Sequence, residues 1–325
     1  MLTTSVSKHP FRVNTERIQK SDTWFYFNDF AKKQLKTKDY DPFHGLLIEV
    51  QKSIVDPEQA VWLSFLYMAF YNPASAYYTF LRYPYPEHIS EDYDKLHIGK
   101  QRRNLRTTSV TKHINSLVEL SKGIGAKEYL TKEFTESKED NWKMLLKNLR
   151  SVWGNGRWGS YTSADMFHKV NLFDVIPSTM EIDEASGPRR GVCDITGMEN
   201  DSPSFILEEY ARWIQSQLSA SVIEYPKYAR LGVDMAITES LLCDFHGLKK
   251  GRYYVGRDID RMHMRIQKVV AQTGEGFGVL YKARQAVFGR QYLSELNGRV
   301  VGIDLDRCKL FRDFGIIADY ADNFF

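Results

Sequence analysis

Cysteine is scarce in this chain of 325 residues: Cys193, Cys243 and Cys308 stand far apart and are odd in number. With no C-x-x-C pair and no Cys/His ligand cluster, a disulfide framework and a structural zinc site are both unexpected. Long apolar runs are missing too. No stretch approaches the roughly 18 residues a membrane span needs, and the start MLTTSVSKHPFRV has no apolar block behind its charges. A soluble cytoplasmic protein with no membrane partner is expected. Nor does one sign of charge dominate, because 44 Lys and Arg face 41 Asp and Glu for a net charge of +3. Whole-chain charge therefore neither requires nor excludes a nucleic acid, and local clustering has to decide.

Several chemical signatures are also absent. There is no G-x-x-x-x-G-K-[ST] phosphate loop, no G-x-S-x-G elbow, no H-E-x-x-H, and no H-x-E with P-C-x-x-C. P-loop kinases, α/β-hydrolases, zincins and zinc deaminases thus find no support. No internal repeat or low-complexity tract divides the chain.

What is present is a hydrophobic content of 43% and an aromatic content of 14%. The first value suits a sizeable core; aromatics either fill such a core or stack on bases. From about Asn14 to Leu172 the apolar residues recur at helical spacing, as in PEQAVWLSFLYMAFY and SVTKHINSLVELSKGI. Asp56-Pro57 and Asn72-Pro73 read as helix starts with proline at the first position. Beyond Gly187-Pro188, the segments SPSFILEEYARWIQSQL, GVDMAITESLLCDF and DIDRMHMRIQKVVAQ also read as helices, and TGEGFGVLYKARQ as a turn into one. GRVVGIDLDRCKLF is expected to be a short strand or an extended tail. The expected fold is mainly α, one compact helical unit over residues 1–325 with minor β near the C-terminus and at most a subdomain seam near 187–203.

Four constellations could carry chemistry. In SVWGNGRWGSYTSADMFHKV the turn Gly154-Asn155-Gly156 leads into a helix, and such a start offers unpaired N–H groups to a phosphate. Arg157 would add a charged contact, and Trp158 a flat surface. A plain helix connection has the same look. In IPSTMEIDEASGPRRGV the carboxylates Glu181, Asp183 and Glu184 precede Arg189 and Arg190. Close acids raise one another's pKa and can share general-base work beside arginines that hold an anion, although a solvated turn with local ion pairs is the commoner outcome.

The third constellation, ESLLCDFHGLKKGRYYVGRDIDRMHMRIQK, gathers Asp244, His246, Arg252, Tyr253, Tyr254, Asp258, Asp260 and Arg261. Asp258 and Asp260 offer oxygen ligands for Mg²⁺, while Asp258 reads more readily as the cap of the following helix. The fourth, KQRRNLRTTSVTKH, carries Arg102, Arg103 and Arg106, which could track a phosphate backbone or form a solvated face.

Taken together, FLYMAFYNPASAYYTFLRYP, RRNLR, GRWGSYTSADMFHKV, ASGPRRGV and LLCDFHGLKKGRYYVGRDID resemble the alpha-glutamyl/putrescinyl thymine pyrophosphorylase family, phage amino acid:DNA transferases. The likeness runs from about residue 57 to 262. It implies a helical DNA-glycosylase-like fold with a helix-hairpin-helix-type element, encoded by a phage and working in the host cytoplasm. Its substrate would be double-stranded DNA carrying 5-pyrophosphomethyl-deoxyuridine, whose pyrophosphate is displaced by the amine of a free amino acid, glycine first, or of a polyamine. Under this resemblance Arg102, Arg103, Arg106, Gly154, Asn155, Gly156 and Arg157 would hold DNA. Trp158, Tyr161, Tyr253 and Tyr254 would stack on a flipped base, with Arg252, Asp258 and Asp260 closing its pocket.

The displaced pyrophosphate would be met by Arg157, Arg189, Arg190 or Arg252, with Mg²⁺ as an optional cofactor. Glu181, Asp183 or Glu184 would take the proton of the incoming amine. A base-excision glycosylase and a non-catalytic DNA-binding protein are the alternative readings of the same residues.

Overall fold

A computed structural model describes residues 15–86, 93–221, 232–288 and 300–318. These residues form fifteen α-helices. The first five are α1 (Thr15–Gln19), α2 (Asp22–Thr37), α3 (Pro42–Gln51), α4 (Pro57–Phe70) and α5 (Pro73–Arg82). A 3₁₀ turn over Lys100–Asn104 then leads to α6 (Val110–Leu120), α7 (Ala126–Thr131), α8 (Lys138–Arg150) and α9 (Arg157–Lys169). The remainder are α10 (Ser186–Thr196), α11 (Ser204–Ser221), α12 (Met235–Lys249), α13 (Arg257–Thr273), α14 (Gly278–Phe288) and α15 (Val300–Phe314).

The helix starts follow the capping chemistry of the sequence. Asp56 accepts from the Glu58 amide at the head of α4, and Asn72 from those of Ala74 and Ser75 at the head of α5. Each is followed by a proline whose missing N–H costs nothing at that position. α4 is buried on every side from Ala60 to Phe70, so it forms the axis of the first apolar cluster.

Two apolar clusters divide the interior, and chain order does not. The first joins α3–α9 to residues of α13 and α14, including Ile259, Met262 and Leu280. The second joins α10–α12 to Phe27, Phe30 and Leu35 of α2. The N-terminal helices thus pack with the third quarter of the chain, and the chain returns to the first cluster at α13. α10 and α12 meet closely because Gly191 has no side chain: a Cβ there would lie 2.3 Å from the Leu242 carbonyl oxygen.

One sequence expectation is overturned here. Residues 300–314, expected as strand or tail, are helical. Arg307, Cys308 and Phe311 fall at helical spacing; the first two are buried, and the Phe311 ring meets Tyr26 at 5.3 Å and Phe245 at 6.2 Å. Packing on one helical stripe outweighs the β-branched composition of the segment. No β-strand occurs among the described residues; an isolated bridge at Gly232 is the only extended pairing.

Candidate functional site

A polar cavity of about 420 Å³ lies where α9, α12 and α13 converge beneath the 3₁₀ turn. Helical periodicity explains its walls. Trp158, Tyr161, Thr162 and Asp165 share one face of α9, and Glu239, Ser240, Cys243 and Asp244 share one face of α12. Arg257, Asp258 and Arg261 line it from the first turns of α13, Lys100 and Arg103 from the 3₁₀ turn, and Asp41 and Tyr71 from the ends of α3 and α4.

The floor is an ionic network. Lys169, 1% exposed, donates to Asp165 at 2.7 Å and to Asp41 at 3.3 Å. Ser240 Oγ also donates to Asp41, at 2.6 Å. Burial works to raise the Asp41 carboxyl, but the nearby Lys169, His44 and Ser240 outweigh it and hold the group below its ordinary value. Asp165 moves the other way, because its deep burial exceeds what Lys169 returns. Asp41 adopts a left-handed backbone (φ 44) although Pro42 follows it, and its side chain does not cap α3. A non-glycine residue in that region stores strain of about 1–3 kcal/mol, which the surrounding contacts must hold.

His44 is buried beside this floor and its ring is pushed down to about 3, chiefly by burial, so it is neutral. Asp41, His44 and Asp165 present ligand atoms within 4.8 Å of one another, a spacing that suits a metal ion. However, the Lys169 ammonium already bridges the two carboxylates, and an imidazole is a poor ligand for Mg²⁺. The donor set does not fit Mg²⁺.

Higher in the cavity, Glu239 pairs with Arg157 at 3.0 Å. Burial raises its carboxyl while Arg157 opposes the shift. Asp244 accepts from Gln34 Nε2 at 3.1 Å, and the same amide donates to the Tyr253 hydroxyl, which in turn donates to Asp39 at 2.5 Å. Burial, then Asp258, push both Asp244 and Asp39 well above the ordinary carboxyl value.

Of the residues expected from sequence, Arg103, Trp158, Tyr161 and Asp258 line this cavity. Trp158 packs on Tyr71 with ring centroids 5.4 Å apart. The Tyr161 ring is covered by Arg157 at 4.3 Å and by the edge-on Trp142, leaving little face for a base. Tyr253 and Tyr254 are core residues, 3% and 1% exposed, with hydroxyls bonded to Asp39 and Asp260. Asp260 is fully buried, and Arg252 is exposed away from the cavity lining. Asp258 is not the cap of α13: Gly256 holds that position, in the left-handed conformation that suits glycine.

The acid and arginine loop lies outside the lining. Glu181 pairs with Arg150 and stands 3.9 Å from Arg157, whereas Asp183, Glu184 and Arg190 are exposed. Arg189, on α10, fastens the connection to α11 by donating to the carbonyls of Asn200 and Ser202 and to Ser204 Oγ.

Among the expected DNA contacts, Arg103 and Arg106 are exposed, but Arg102 is 2% exposed and donates to the carbonyls of Ala69, Thr107 and Thr108. Arg157 is likewise turned inward, to Glu239 and the Met180 carbonyl. The Gly154–Gly156 turn joins α8 to α9, with Asn155 held by the Leu149 carbonyl. Gly154 has φ +92, and a Cβ there would lie 2.2 Å from Thr107 Cγ2. A second such turn, Gly123-Ile124-Gly125 between α6 and α7, escaped sequence reading; the Glu58 carboxylate occupies the amides of Ala126 and Lys127 that follow it.

Asp41, Lys169 and Glu239 were also missed, and Asp244 was noted in its segment without a role. Their signal was available: on α9 and α12 a charged residue recurs on the same face as buried apolar ones, where a solvated helix would keep its charges apart.

The described residues thus form a helical protein with a partly open polar cavity lined by four basic and five acidic side chains. The family model for amino acid:DNA transferases matches residues 35–254, which contain most of this cavity, and the chain belongs to that family. A comparison with curated proteins gives no match.

Proposed function

We propose that the cavity between α9, α12 and α13 is the active site of a transferase that displaces pyrophosphate from 5-pyrophosphomethyl-deoxyuridine in DNA with the amine of an amino acid, glycine first. The observation that carries this reading is the mixed charge of the lining: Lys100, Arg103, Arg257 and Arg261 stand with five carboxylates around one cavity of about 420 Å³. Such a volume suits one extruded nucleotide base and a small donor. Extrusion from the stack costs roughly a few kcal/mol, offset by stacking on Trp158, whose partner Tyr71 stiffens that wall.

The basic side chains neutralise the charge that develops on the leaving pyrophosphate. Arg103 on the cavity wall and Arg106 are exposed, and the α8–turn–α9 unit supports a helix-hairpin-helix-type, glycosylase-like grip on the DNA backbone. The protein would act in the cytoplasm of a phage-infected cell. A protonated amine is no nucleophile, so a carboxylate has to remove its proton. Because Glu181 is engaged by arginines while Asp183 and Glu184 are exposed outside the lining, that carboxylate belongs to the cavity itself.

The test is direct. DNA containing 5-pyrophosphomethyl-deoxyuridine is incubated with the protein and glycine, then digested, and the nucleosides are weighed. A glycine-substituted thymidine with an equal amount of pyrophosphate is expected. Unchanged nucleoside with every amine tried rejects the reading.

A further inference from the structure

The cavity carboxylates differ in one respect that their number conceals. Asp41 and Asp165 share Lys169, Glu239 has Arg157 at 3.0 Å, and Asp258 has Arg257 at 3.7 Å. Asp244 faces the same cavity with no lysine, arginine or histidine nitrogen within 4 Å among the described residues. Its one hydrogen bond comes from the neutral amide of Gln34. Around it stand Asp258, Asp41 and Asp39, all of which repel its charge, with Arg257 opposing them from a longer distance. A second acceptor in the cavity is idle: Asp165 is 3% exposed and meets Lys169 through Oδ2, yet its Oδ1 accepts no hydrogen bond. An unpaired carboxylate in such a place is incomplete without a cation.

We propose that Asp244 is the subsite for the donor's primary ammonium group and the acceptor of its proton. This rests on the transferase reading and names the residue that reading leaves open. The donor ammonium binds against Asp244 and gives it one proton. The nitrogen lone pair then forms the C–N bond to the methylene carbon as the C–O bond to pyrophosphate breaks, its electron pair leaving on the pyrophosphate oxygen. The product nitrogen is a secondary ammonium, and the proton on Asp244 passes to the released pyrophosphate or to water. Burial and the surrounding aspartates raise the Asp244 carboxyl well above its ordinary value, which brings it toward the range a general base needs. Gln34, through Tyr253 and Asp39, fixes its orientation.

The experiment has a binding arm and a turnover arm, on the full chain and on Asp244→Asn, whose shape is unchanged. In the first, the melting temperature is followed with methylammonium chloride against potassium chloride at equal ionic strength. Stabilisation of the native chain by methylammonium, absent in the variant, is expected; the same response in both overturns the subsite.

In the second, transfer is measured with glycine and with hydroxylamine, whose nitrogen is unprotonated at neutral pH. Asp244→Asn is expected to lose glycine transfer by about 100-fold or more, the usual scale for general-base loss, and hydroxylamine transfer far less. Equal loss with both donors assigns Asp244 a merely structural part and overturns the proposal, as does full glycine transfer. If the variant fails to fold, Asp244→Glu replaces it, with methylammonium stabilisation kept and glycine transfer reduced; loss of that stabilisation overturns the subsite. Should the native chain bind methylammonium through Asp244 yet transfer no amine to DNA, the subsite stands and the transferase reading falls.

Discussion

Lys169 donates to Asp165 at 2.7 Å, one turn earlier on α9, and both side chains are at least nine-tenths buried. The lysine is surrounded by acids, with Asp41 at 3.3 Å and Asp234 also acting on it, and together they raise its pKa despite burial. Removing the ammonium leaves these carboxylates facing one another in a low-dielectric interior. Lys169→Ala is therefore expected to lose about 3–5 kcal/mol of stability, read from urea unfolding at pH 7. A loss near zero would show that the network is dispensable for folding.

The same variant opens a place for a metal. Asp41, His44 and Asp165 keep their ligand atoms within 4.8 Å of one another, and one imidazole with two carboxylates suits Zn²⁺. Zn²⁺ is expected to raise the melting temperature of Lys169→Ala and to leave the native chain unmoved. A similar rise in both would mean that Lys169 does not hold the cation position.

Acid stability provides a third check. His113 is buried, and burial followed by Arg102 pushes its ring from 6.5 down to about 3. The folded state thus refuses a proton that the unfolded chain accepts, so this contribution is intact above about pH 6.5 and declines as the pH falls toward 3. At pH 5 the loss is about 2 kcal/mol. Denaturant unfolding at pH 7 and pH 5 should show His113→Leu losing that much less than the native chain; identical slopes would refute the assignment.

Gly191 tests the contact that places α12. A Cβ would lie 2.3 Å from a backbone oxygen that has no rotamer to change, so the helices must part. Gly191→Ala is expected to cost about 1–3 kcal/mol and to lower turnover, because α12 carries Glu239, Ser240 and Asp244. Unchanged melting and turnover would show that α10 shifts without consequence.

Trp158 tests the stacking wall. Trp158→Ala should weaken binding of DNA with an unpaired thymine at the target position by about 1–3 kcal/mol, and binding of fully paired DNA much less. An equal effect on both would place Trp158 in backbone contact instead.

How much of this was legible depended on the range of the interaction. Asp56-Pro57, Asn72-Pro73 and the apolar spacing of PEQAVWLSFLYMAFY are local, and each helix they announced is present. Residues 300–314 misled because a β-branched stretch was read without its partners, Tyr26 and Phe245, which lie far away in sequence. The glycine turn at 154–156 was found, but Arg157 beside it points inward to Glu239, 82 residues further on. The clustered acids Glu181, Asp183 and Glu184 drew notice because they are adjacent in sequence, whereas adjacency in a loop commonly means shared solvent.

The sequence by itself determined the helical class, through periodicity and caps that act within one or two turns, and its segment order carried the family likeness. The tertiary structure decided which charges meet. Asp41, Asp165 and Asp244 come from three separate stretches of chain and share one cavity only because the two apolar clusters pack together around it. Burial and long-range charge, which set the ionisation of each carboxylate, have no counterpart in residue spacing.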